Sequence, residues 1–192
     1  MPKFTFGWTN TFRYKNFDLS IFINGSYGNK VFNYLDMKLS AMNNVWVNTS
    51  NSVKGHANLA PINPDKVYDN GGRWYDDVSN VQVTNPNASI PRPTRNDPND
   101  NDAISDRYVE DGSYIRLKNI TLGYTFPKKM VEKVGLQSLR LSVNVQNLLT
   151  ITGYDGYDPE IGASTASENV YGLDFGRYPS PTVYSFNLNV SF

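Results

Sequence analysis

The chain has 192 residues, 18 basic and 18 acidic side chains, and no Cys. The balanced charge gives no general electrostatic reason to bind nucleic acid or an anionic membrane surface, and the lack of Cys excludes disulfides, Cys-ligated metal sites and thiol nucleophiles. No stretch approaches the ~18 apolar residues of a membrane helix, whereas the aromatic content of 14% is too high for a disordered chain. The sequence starts directly on an alternating pattern, as expected for a piece of a longer protein.

The first two predicted strands form a hairpin. Apolar side chains occupy the even positions of residues 3–15, such as Trp8, and the odd positions of residues 17–28. A period of two with one apolar face is typical of a strand. Because a two-residue turn separates Tyr14 from Phe17, these residues fall on the same face as a cross-strand pair. The register of the hairpin is therefore self-consistent.

Residues 29–112 and 150–180 lack sustained periodicity and are rich in Gly, Pro, Asn and Asp, which predicts two long loops. The connections between strands therefore alternate between short and long along the chain. A loop as long as 29–112 argues against a compact domain unless it serves a function or packs against parts outside this chain.

Three further strands are predicted at about 113–126, 139–149 and 181–192. In the first of these, apolar residues take even positions from Ile120 onward but odd positions at Ile115 and Leu117, so the facing of the upstream half is undecided. Pro127 and Gly135 predict a short helix before the next strand. The last strand is the most regular, with alternating apolar residues at Tyr184, Phe186, Leu188, Val190 and Phe192.

These strands have the features of a membrane-spanning barrel. Their predicted length is about twice the usual ~5–6 residues of a soluble strand and matches the ~9–11 of a tilted membrane strand. The apolar face carries aliphatic residues between two aromatic groups, the arrangement that a bilayer imposes on a barrel exterior. One group is Tyr14, Phe17, Tyr124, Phe126 and Phe192, and the other is Phe4, Phe6, Tyr27, Tyr114 and Tyr184.

Five strands cannot close a barrel, because bacterial examples have an even number of strands and at least about eight. The pattern therefore predicts one end of a larger barrel, with short turns in the periplasm and long loops outside the cell. The alternative is a soluble β-sandwich that binds carbohydrate, since a soluble antiparallel sheet also has one apolar and one polar face. An enzyme has no supporting constellation of nucleophile, base and orienting group.

Several motifs resemble one family in the order in which that family carries them. They are "PKFTFGWTNTFRYKNFDLSIFINGSYGNKVFN" (2–33), Arg73-Trp74, "SDRYVEDGSY" (105–114), "DGSYIRLKNITLGYTFP" (111–127) and "LRLSVNVQNLLTITGYDGYDPEIG" (139–162). Together they resemble the C-terminal end of the SusC/RagA-like TonB-linked outer-membrane transporters of Bacteroidota. The resemblance implies an all-β fold, the last five antiparallel strands of a transmembrane β-barrel of about 22 strands, with a short periplasmic helix and two long extracellular loops.

The resemblance also implies the partners of such a transporter. In that family a SusD-like surface lipoprotein covers the barrel as a lid. An N-terminal plug contacts the TonB–ExbB–ExbD complex, which drives the import of glycans or peptides. The plug and the TonB-contact segment are not part of this sequence, so autonomous transport by this chain is not expected. Outer-membrane lipid and the barrel-assembly machinery are the remaining expected partners, and nucleic acid is not one.

Candidate contacts to substrate or lid lie in the predicted loops. Tyrosine rings stack on sugar rings, and carboxylates accept hydrogen bonds from hydroxyl groups. The second loop offers Tyr154, Asp155, Tyr157, Asp158 and Glu160, and the first offers Arg73, Trp74 and Tyr75. For both groups, packing between loops is the alternative, and for Arg73, Trp74 and Tyr75 a contact with the partner lipoprotein is a further one. The sequence predicts no cofactor, because the acidic run at 97–102 lacks the Gly and Glu of a calcium loop.

Two further groups are predicted on the strands. Arg140, Asn144 and Gln146 alternate with apolar residues and are predicted to face the lumen, where they contact the plug or form a polar network between strands. The alternating residues from Tyr184 to Phe192 resemble the C-terminal signal that the barrel-assembly machinery reads. The alternative is that these side chains only face lipid, and both roles are compatible.

Overall fold

The computed structural model describes residues 1–40, 55–63, 78–92, 100, 103–160 and 172–192. These residues fall into two compact units. The first consists of Met1–Tyr34 together with Asp106–Phe192, and the second of Leu35–Ser105.

The described elements are mostly strands, with short helices between them. In chain order they are β1 (Phe4–Tyr14), β2 (Phe17–Tyr27), β3 (Lys30–Asn33), α1 (Tyr34–Ser40), β4 (Leu59–Pro61), β5 (Val81–Val83), β6 (Val109–Asp111), β7 (Tyr114–Thr125), α2 (Lys128–Val131), β8 (Ser138–Thr152), β9 (Leu173–Asp174) and β10 (Val183–Ser191). Three-residue 3₁₀ helices lie at Val78–Asn80, Asp106–Tyr108 and Glu132–Val134.

The five long strands form one antiparallel sheet in the order β1-β2-β7-β8-β10, and the predicted five-stranded all-β fold is confirmed. The hairpin has the predicted register, with Tyr14 opposite Phe17. The segment 29–112, predicted as a loop, contains short strands and a helix, which are too brief to produce a sustained period in the sequence.

A β-bulge at Lys118 decides the facing of β7. Ile120 pairs with Ile21 and Leu117 pairs with Ile23, so three steps along β7 match two along β2, and one extra residue of β7 separates the two halves. On the other side of β7, the same three steps match four along β8, from Val145 to Leu149. A bulge of one residue reverses the side on which the following side chains point. The apolar residues of both halves therefore share one face of the sheet, despite their change from even to odd positions.

The same bulge corrects the placement of Tyr114. The sequence pattern put this residue in an aromatic group on the apolar face, but Tyr114 pairs with the buried Ser26 and its ring lies 5.7 Å from the Arg116 guanidinium. Tyr114 thus belongs to the polar face. The prediction was wrong because it continued the even phase of the downstream half through Lys118.

The apolar face of this sheet is exposed across all five strands. Trp8 is 54% exposed, Leu122 is 47% exposed and Phe186 is 80% exposed. In a β-sandwich the apolar faces of two sheets pack against each other and form the core. Here the apolar face has no second sheet packed on it among the described residues. An apolar face that is exposed in this way is what contact with lipid requires.

The connection between β7 and β8 is the predicted short helix. Pro127 precedes α2, and the following 3₁₀ turn ends at Gly135, whose φ of 80° is left-handed. Only glycine adopts this conformation without a steric cost from Cβ. Val131 is 3% exposed, which anchors the connection to the sheet.

The second unit contains the antiparallel pair of β4 and β5 and a parallel bridge between His56 and Ile90. Asn80, at the end of the 3₁₀ helix before β5, binds the residues that follow β4, because its side-chain oxygen accepts a hydrogen bond from Asn63 N at 2.8 Å. Among the described residues, no helix is long and apolar enough to cross a bilayer.

Candidate functional site

A second, three-stranded sheet continues the chain beyond the ends of β2 and β7. β3 pairs with β6 in the antiparallel sense and with β9 in the parallel sense. We call this sheet, together with residues 154–160 and 175–180, the loop platform. Val31 and Tyr108 are each only 1% exposed, and the Phe32 and Tyr108 rings lie 6.2 Å apart. The loops at this end are therefore a packed structure with its own small core.

The link from β6 to β7 is held by a carboxylate. Asp111 accepts a hydrogen bond from Ser113 N at 2.9 Å, and Lys30 Nζ lies 3.3 Å from the same carboxyl group. The hydrogen bonds from Ser113, followed by that from Lys30, lower the pKa of Asp111 to about 2. Asn29 donates to Gly112 O at 3.0 Å. These contacts fix the point at which the platform joins the long sheet.

A buried arginine connects the polar face of the long sheet to the loop after β8. Arg116, on β7, is 3% exposed. Its Nη1 donates to Glu160 Oε2 at 2.6 Å, its Nη2 donates to Asp158, and its Nε donates to Thr150 Oγ1 at 2.9 Å. A guanidinium group has five N–H donors, more than one carboxylate can accept. Here its acceptors are the carboxylates of Asp158 and Glu160 and the hydroxyl of Thr150.

Lys118 and two backbone amides complete this group. Lys118 Nζ donates to Glu160 Oε2 at 2.6 Å, so the bulged residue and Arg116 share one carboxylate oxygen. Asp158 also accepts from Glu160 N at 2.9 Å and from Ser180 N at 3.0 Å. We call Arg116, Lys118, Asp158 and Glu160 the charge cluster. The cluster joins β7 to the loop after β8, and the bond from Ser180 N connects it to the segment before β10.

Burial and pairing act in opposite directions on Asp158. Burial disfavours the charged carboxylate, but the hydrogen bonds from Arg116, Ser180 and Glu160 outweigh it and hold the pKa of Asp158 below its usual value. The carboxylate is therefore ionised at neutral pH, as its ion pair with Arg116 requires.

A second buried contact fixes the start of the same loop. Tyr154 is 5% exposed, and its hydroxyl donates to Asp174 Oδ2 at 2.5 Å. The other oxygen of Asp174 accepts from Gly176 N at 2.8 Å. Asp155 N donates to Glu110 Oε2 at 2.9 Å, and Asn33 Nδ2 donates to Glu110 Oε1 at 2.8 Å. Residues of the two predicted loops thus share one hydrogen-bonded network.

The structure separates the predicted contacts of the second loop into two kinds. Tyr154 and Asp158 are 5% and 8% exposed, so their side chains pack within the platform. Packing between loops was the alternative to a contact with substrate or lid. Asp155 is exposed, and Glu160 is half-buried in the charge cluster. Tyr157 is 62% exposed, and its ring is available to a ligand.

The sequence pattern did not identify three residues that lie in the platform or bind it. Arg116 was overlooked because it lies in the half of β7 whose facing the pattern left undecided. Asp174 and Tyr178 stood in a loop without periodicity, where nothing in the sequence marked them. The structure places Tyr178 two residues from Ser180, which is bound to Asp158, and its ring is 84% exposed.

Other predicted contacts lie outside the described residues. These are Arg73, Trp74 and Tyr75. The acidic run at 97–102 also lies outside the described residues, with the exception of Asp100. Among the described residues, no group of three or more His, Asp or Glu side chains is arranged to hold a metal ion.

The three residues predicted to face the lumen lie on the polar face. Arg140 Nη2, on β8, donates to Asp18 Oδ2, on β2, at 2.6 Å across the intervening β7. Asn144 Nδ2 donates to Asn119 Oδ1 at 2.6 Å and to Thr121 Oγ1 at 2.8 Å. Gln146 pairs with Asn119 in the register of the sheet and is exposed. Arg140 and Asn144 thus take part in a polar network between strands.

The residues of the predicted C-terminal signal form an exposed apolar row. Tyr184 is 62% exposed, Phe186 80%, Leu188 60%, Val190 36% and Phe192 84%. Tyr184 to Val190 lie on β10, which pairs with β8 alone among the described strands.

Two TonB-dependent receptors match this chain over its full length. It is 36% identical over 195 aligned residues to TonB-dependent receptor P3 of Formosa agariphila and 30% identical to TonB-dependent receptor P26 of the same species, with all of this chain aligned in both. TonB-dependent receptor SusC of Bacteroides thetaiotaomicron is 32% identical over 93 residues, which is 47% of this chain and 8% of that protein. No protein-family model matches the chain.

A solved structure has the same fold over the full chain. The structure of the RagAB peptide transporter matches with a TM-score of 0.68 at 20% identity, covering 100% of this chain and 17% of that one. The chain spans 16% and 17% of the length of the two Formosa receptors.

Proposed function

The chain belongs to the SusC/RagA-like TonB-dependent receptors of the outer membrane, and on this premise we propose that it forms part of the wall and of the outer vestibule of a nutrient importer. The observation that carries the proposal is the sheet of five long strands with an exposed apolar face. Such a sheet suits lipid on one side and a polar interior on the other. The loop platform, at the end opposite the short turns, forms the vestibule.

The orientation follows from the lengths of the connections. We place the β1–β2 turn and the α2 connection in the periplasm, and the loop platform outside the cell, because outer-membrane barrels have short periplasmic turns and longer outer loops. In this orientation Arg140, Asn144 and Gln146 face the lumen. Asn144 and Arg140 support the wall, and Gln146 is the exposed member that is free to meet a plug.

The proposed cargo is an oligosaccharide or another large nutrient. Two exposed tyrosines, Tyr157 and Tyr178, support this proposal, because a tyrosine ring combines an apolar face for stacking with a hydroxyl for hydrogen bonding. Asp158 of the charge cluster directly follows Tyr157 and accepts a hydrogen bond from the backbone of Ser180, two residues after Tyr178, so it holds the backbone near both rings. Arg73, Trp74 and Tyr75 remain proposed contacts to substrate or lid.

Binding by the full-length receptor tests the cargo. Purified receptor is titrated with fluorescent oligosaccharides and, separately, with a peptide pool of similar size. We expect the oligosaccharides to bind, and the double variant Tyr157→Ala, Tyr178→Ala to weaken binding about tenfold, since one to two stacked rings contribute ~0.5–1.5 kcal/mol each. Tyr14→Ala, at the opposite end of the sheet, is the control. Peptide binding without oligosaccharide binding would reassign the cargo class.

The proposed partners are a SusD-like surface lipoprotein over the vestibule, the TonB–ExbB–ExbD complex acting through the plug, and the barrel-assembly machinery. Affinity purification of the full-length receptor from its native membrane tests the first. We expect one abundant surface lipoprotein to co-purify in about equal amount, and its absence from a stable receptor preparation would contradict the lid.

The assembly role of β10 has its own test. Deletion of Phe192 in the full-length receptor should lower the amount assembled in the outer membrane. Leu188→Val keeps the row apolar and serves as the control. Unchanged assembly after the deletion would leave the row with lipid contact alone.

A further inference from the structure

The helical connection between β7 and β8 carries an exposed apolar pair. Met130 is 57% exposed and Val134 is 71% exposed, whereas Val131 between them is buried. Met130 lies in α2 and Val134 ends the 3₁₀ turn that follows it. We call these two exposed side chains the apolar strip; they are on the solvent side of the connection, whereas the buried Val131 is not.

Lysines flank this strip. Lys128, Lys129 and Lys133 are all exposed. Glu132 lies 3.6 Å from Lys128, with side-chain exposures of 55% and 78%, and is the one acidic residue between Pro127 and Gly135. Although the whole chain is neutral, this connection is locally basic.

The connection starts directly below an aromatic cluster. The rings of Phe17 and Tyr124 lie 4.6 Å apart, and those of Tyr124 and Phe126 lie 5.0 Å apart. Tyr14 is 70% exposed beside them, with Lys15 Nζ 5.3 Å from its ring centre. Aromatic clusters of a membrane protein mark the level of the lipid head groups. The connection thus begins two residues from that level.

We propose that residues 128–134 are an interfacial anchor that binds anionic phospholipid. Met130 and Val134 enter the boundary between head groups and acyl chains, and the three lysines extend toward phosphate groups while their alkyl stems remain on apolar surface. The basic charge and the continuity with the exposed apolar face favour lipid over a protein partner as the occupant. This role is independent of the transported cargo.

Depth-dependent quenching in the full-length receptor tests the anchor. Three variants of the receptor each carry a single cysteine, at the position of Met130, Val134 or Glu132, and a fluorescent label is attached to it. Each labelled variant is reconstituted into nanodiscs of phosphatidylethanolamine and phosphatidylglycerol. Glu132→Cys is the matched control, because it lies in the same turn but away from the apolar strip. Only variants that keep the folded, heat-modifiable form of the receptor are compared.

We expect a nitroxide head-group lipid to quench the labels at Met130 and Val134 about twofold more than the label at Glu132, and aqueous iodide to show the reverse order. Replacing phosphatidylglycerol by phosphatidylcholine should reduce the lipid quenching at Met130. Equal iodide quenching at Met130 and Glu132 would overturn the proposal. Protection of Met130 from both quenchers would also overturn it, because the strip would then contact protein.

Discussion

Arg116 and Glu160, 44 positions apart in the sequence, are joined by a hydrogen bond of 2.6 Å from Nη1 to Oε2. The same guanidinium pairs with Asp158 and is almost fully buried. A single side chain on a barrel strand therefore fixes two carboxylates of the loop after β8. The bulge at Lys118 makes this possible, because it turns Arg116 to the polar face and places Lys118 beside the same carboxylate.

Substituting Arg116 should release this loop. Arg116→Gln leaves Asp158 buried without its cation, and breaking a buried pair from one side costs about 3–5 kcal/mol. We expect amide exchange of residues 154–160 in the full-length receptor to rise by two orders of magnitude or more, which corresponds to ~1.4 kcal/mol for each factor of ten. Hydrogen–deuterium exchange followed by mass spectrometry measures it.

Lys30→Gln is the matched control for this variant. The Lys30–Asp111 pair has side-chain exposures of 62% and 54%, and exposed pairs contribute about 0–1 kcal/mol. Exchange of the platform should therefore change little. Equal increases in amide exchange for the two substitutions would contradict the claim that the buried Arg116 pair stabilises the loop more than an exposed pair does.

The pH dependence of the loop follows from Asp158. Pairing lowers the pKa of this carboxyl in the folded loop, so its contribution to stability is fully present above the unfolded pKa of about 3.9 and is lost as the pH falls through the folded value. A fluorescent label at Tyr157→Cys should give a constant signal from pH 8 to 5 and change only below about pH 4. A transition centred between pH 5 and 7 would be incompatible with this pairing.

The Tyr154 hydroxyl should stabilise the start of the same loop. Tyr154→Phe removes a hydrogen bond of 2.5 Å to Asp174 and leaves a buried carboxylate with fewer donors, which costs about 1–3 kcal/mol. We expect faster exchange at residues 172–176. Tyr157→Phe alters an exposed ring and should stay within about 0.5 kcal/mol of the wild type. Identical exchange in the two variants would mean that the hydroxyl carries no stability.

Gly123 should be required for the Arg140–Asp18 pair. A Cβ at this position would lie 2.6 Å from Asp18 Oδ1 and even closer to Arg140 Nη2. Gly123→Ala should therefore displace the ends of both side chains and lower the stability of the full-length barrel in urea by up to about 1 kcal/mol, the contribution of a part-exposed ion pair. Gly153→Ala, where a Cβ has nothing within 4 Å, is the control. Equal urea midpoints for the two variants would argue against the close approach.

The sequence pattern predicted the five strands, because alternation over a long strand is a local property. The hairpin register followed from the turn between Tyr14 and Phe17. The pattern failed at Lys118, because a bulge depends on the pairing of β7 with both neighbours and reverses the phase without a signal in composition. Tyr114 was misplaced for that reason.

The sequence pattern could not predict the loop platform. Its contacts join residues that are far apart in the chain, such as Tyr154 with Asp174 and Asn33 with Glu110. The sequence offered the tyrosines and carboxylates of 154–160 as candidates, but their division into buried and exposed side chains depends on Arg116. Only the packed structure separates Tyr157 from Tyr154.

The central claim is that β7 and β8 span the membrane with one apolar face toward lipid and a change of phase at Lys118. Single labels along β7 of the full-length receptor in nanodiscs, quenched by lipids with nitroxides on their acyl chains, test it directly. We predict strong quenching at Ile115, Leu117, Ile120 and Leu122, and weak quenching at Arg116, Asn119 and Thr121. Quenching without alternation, or alternation that runs through Lys118 without a change of phase, would contradict the account.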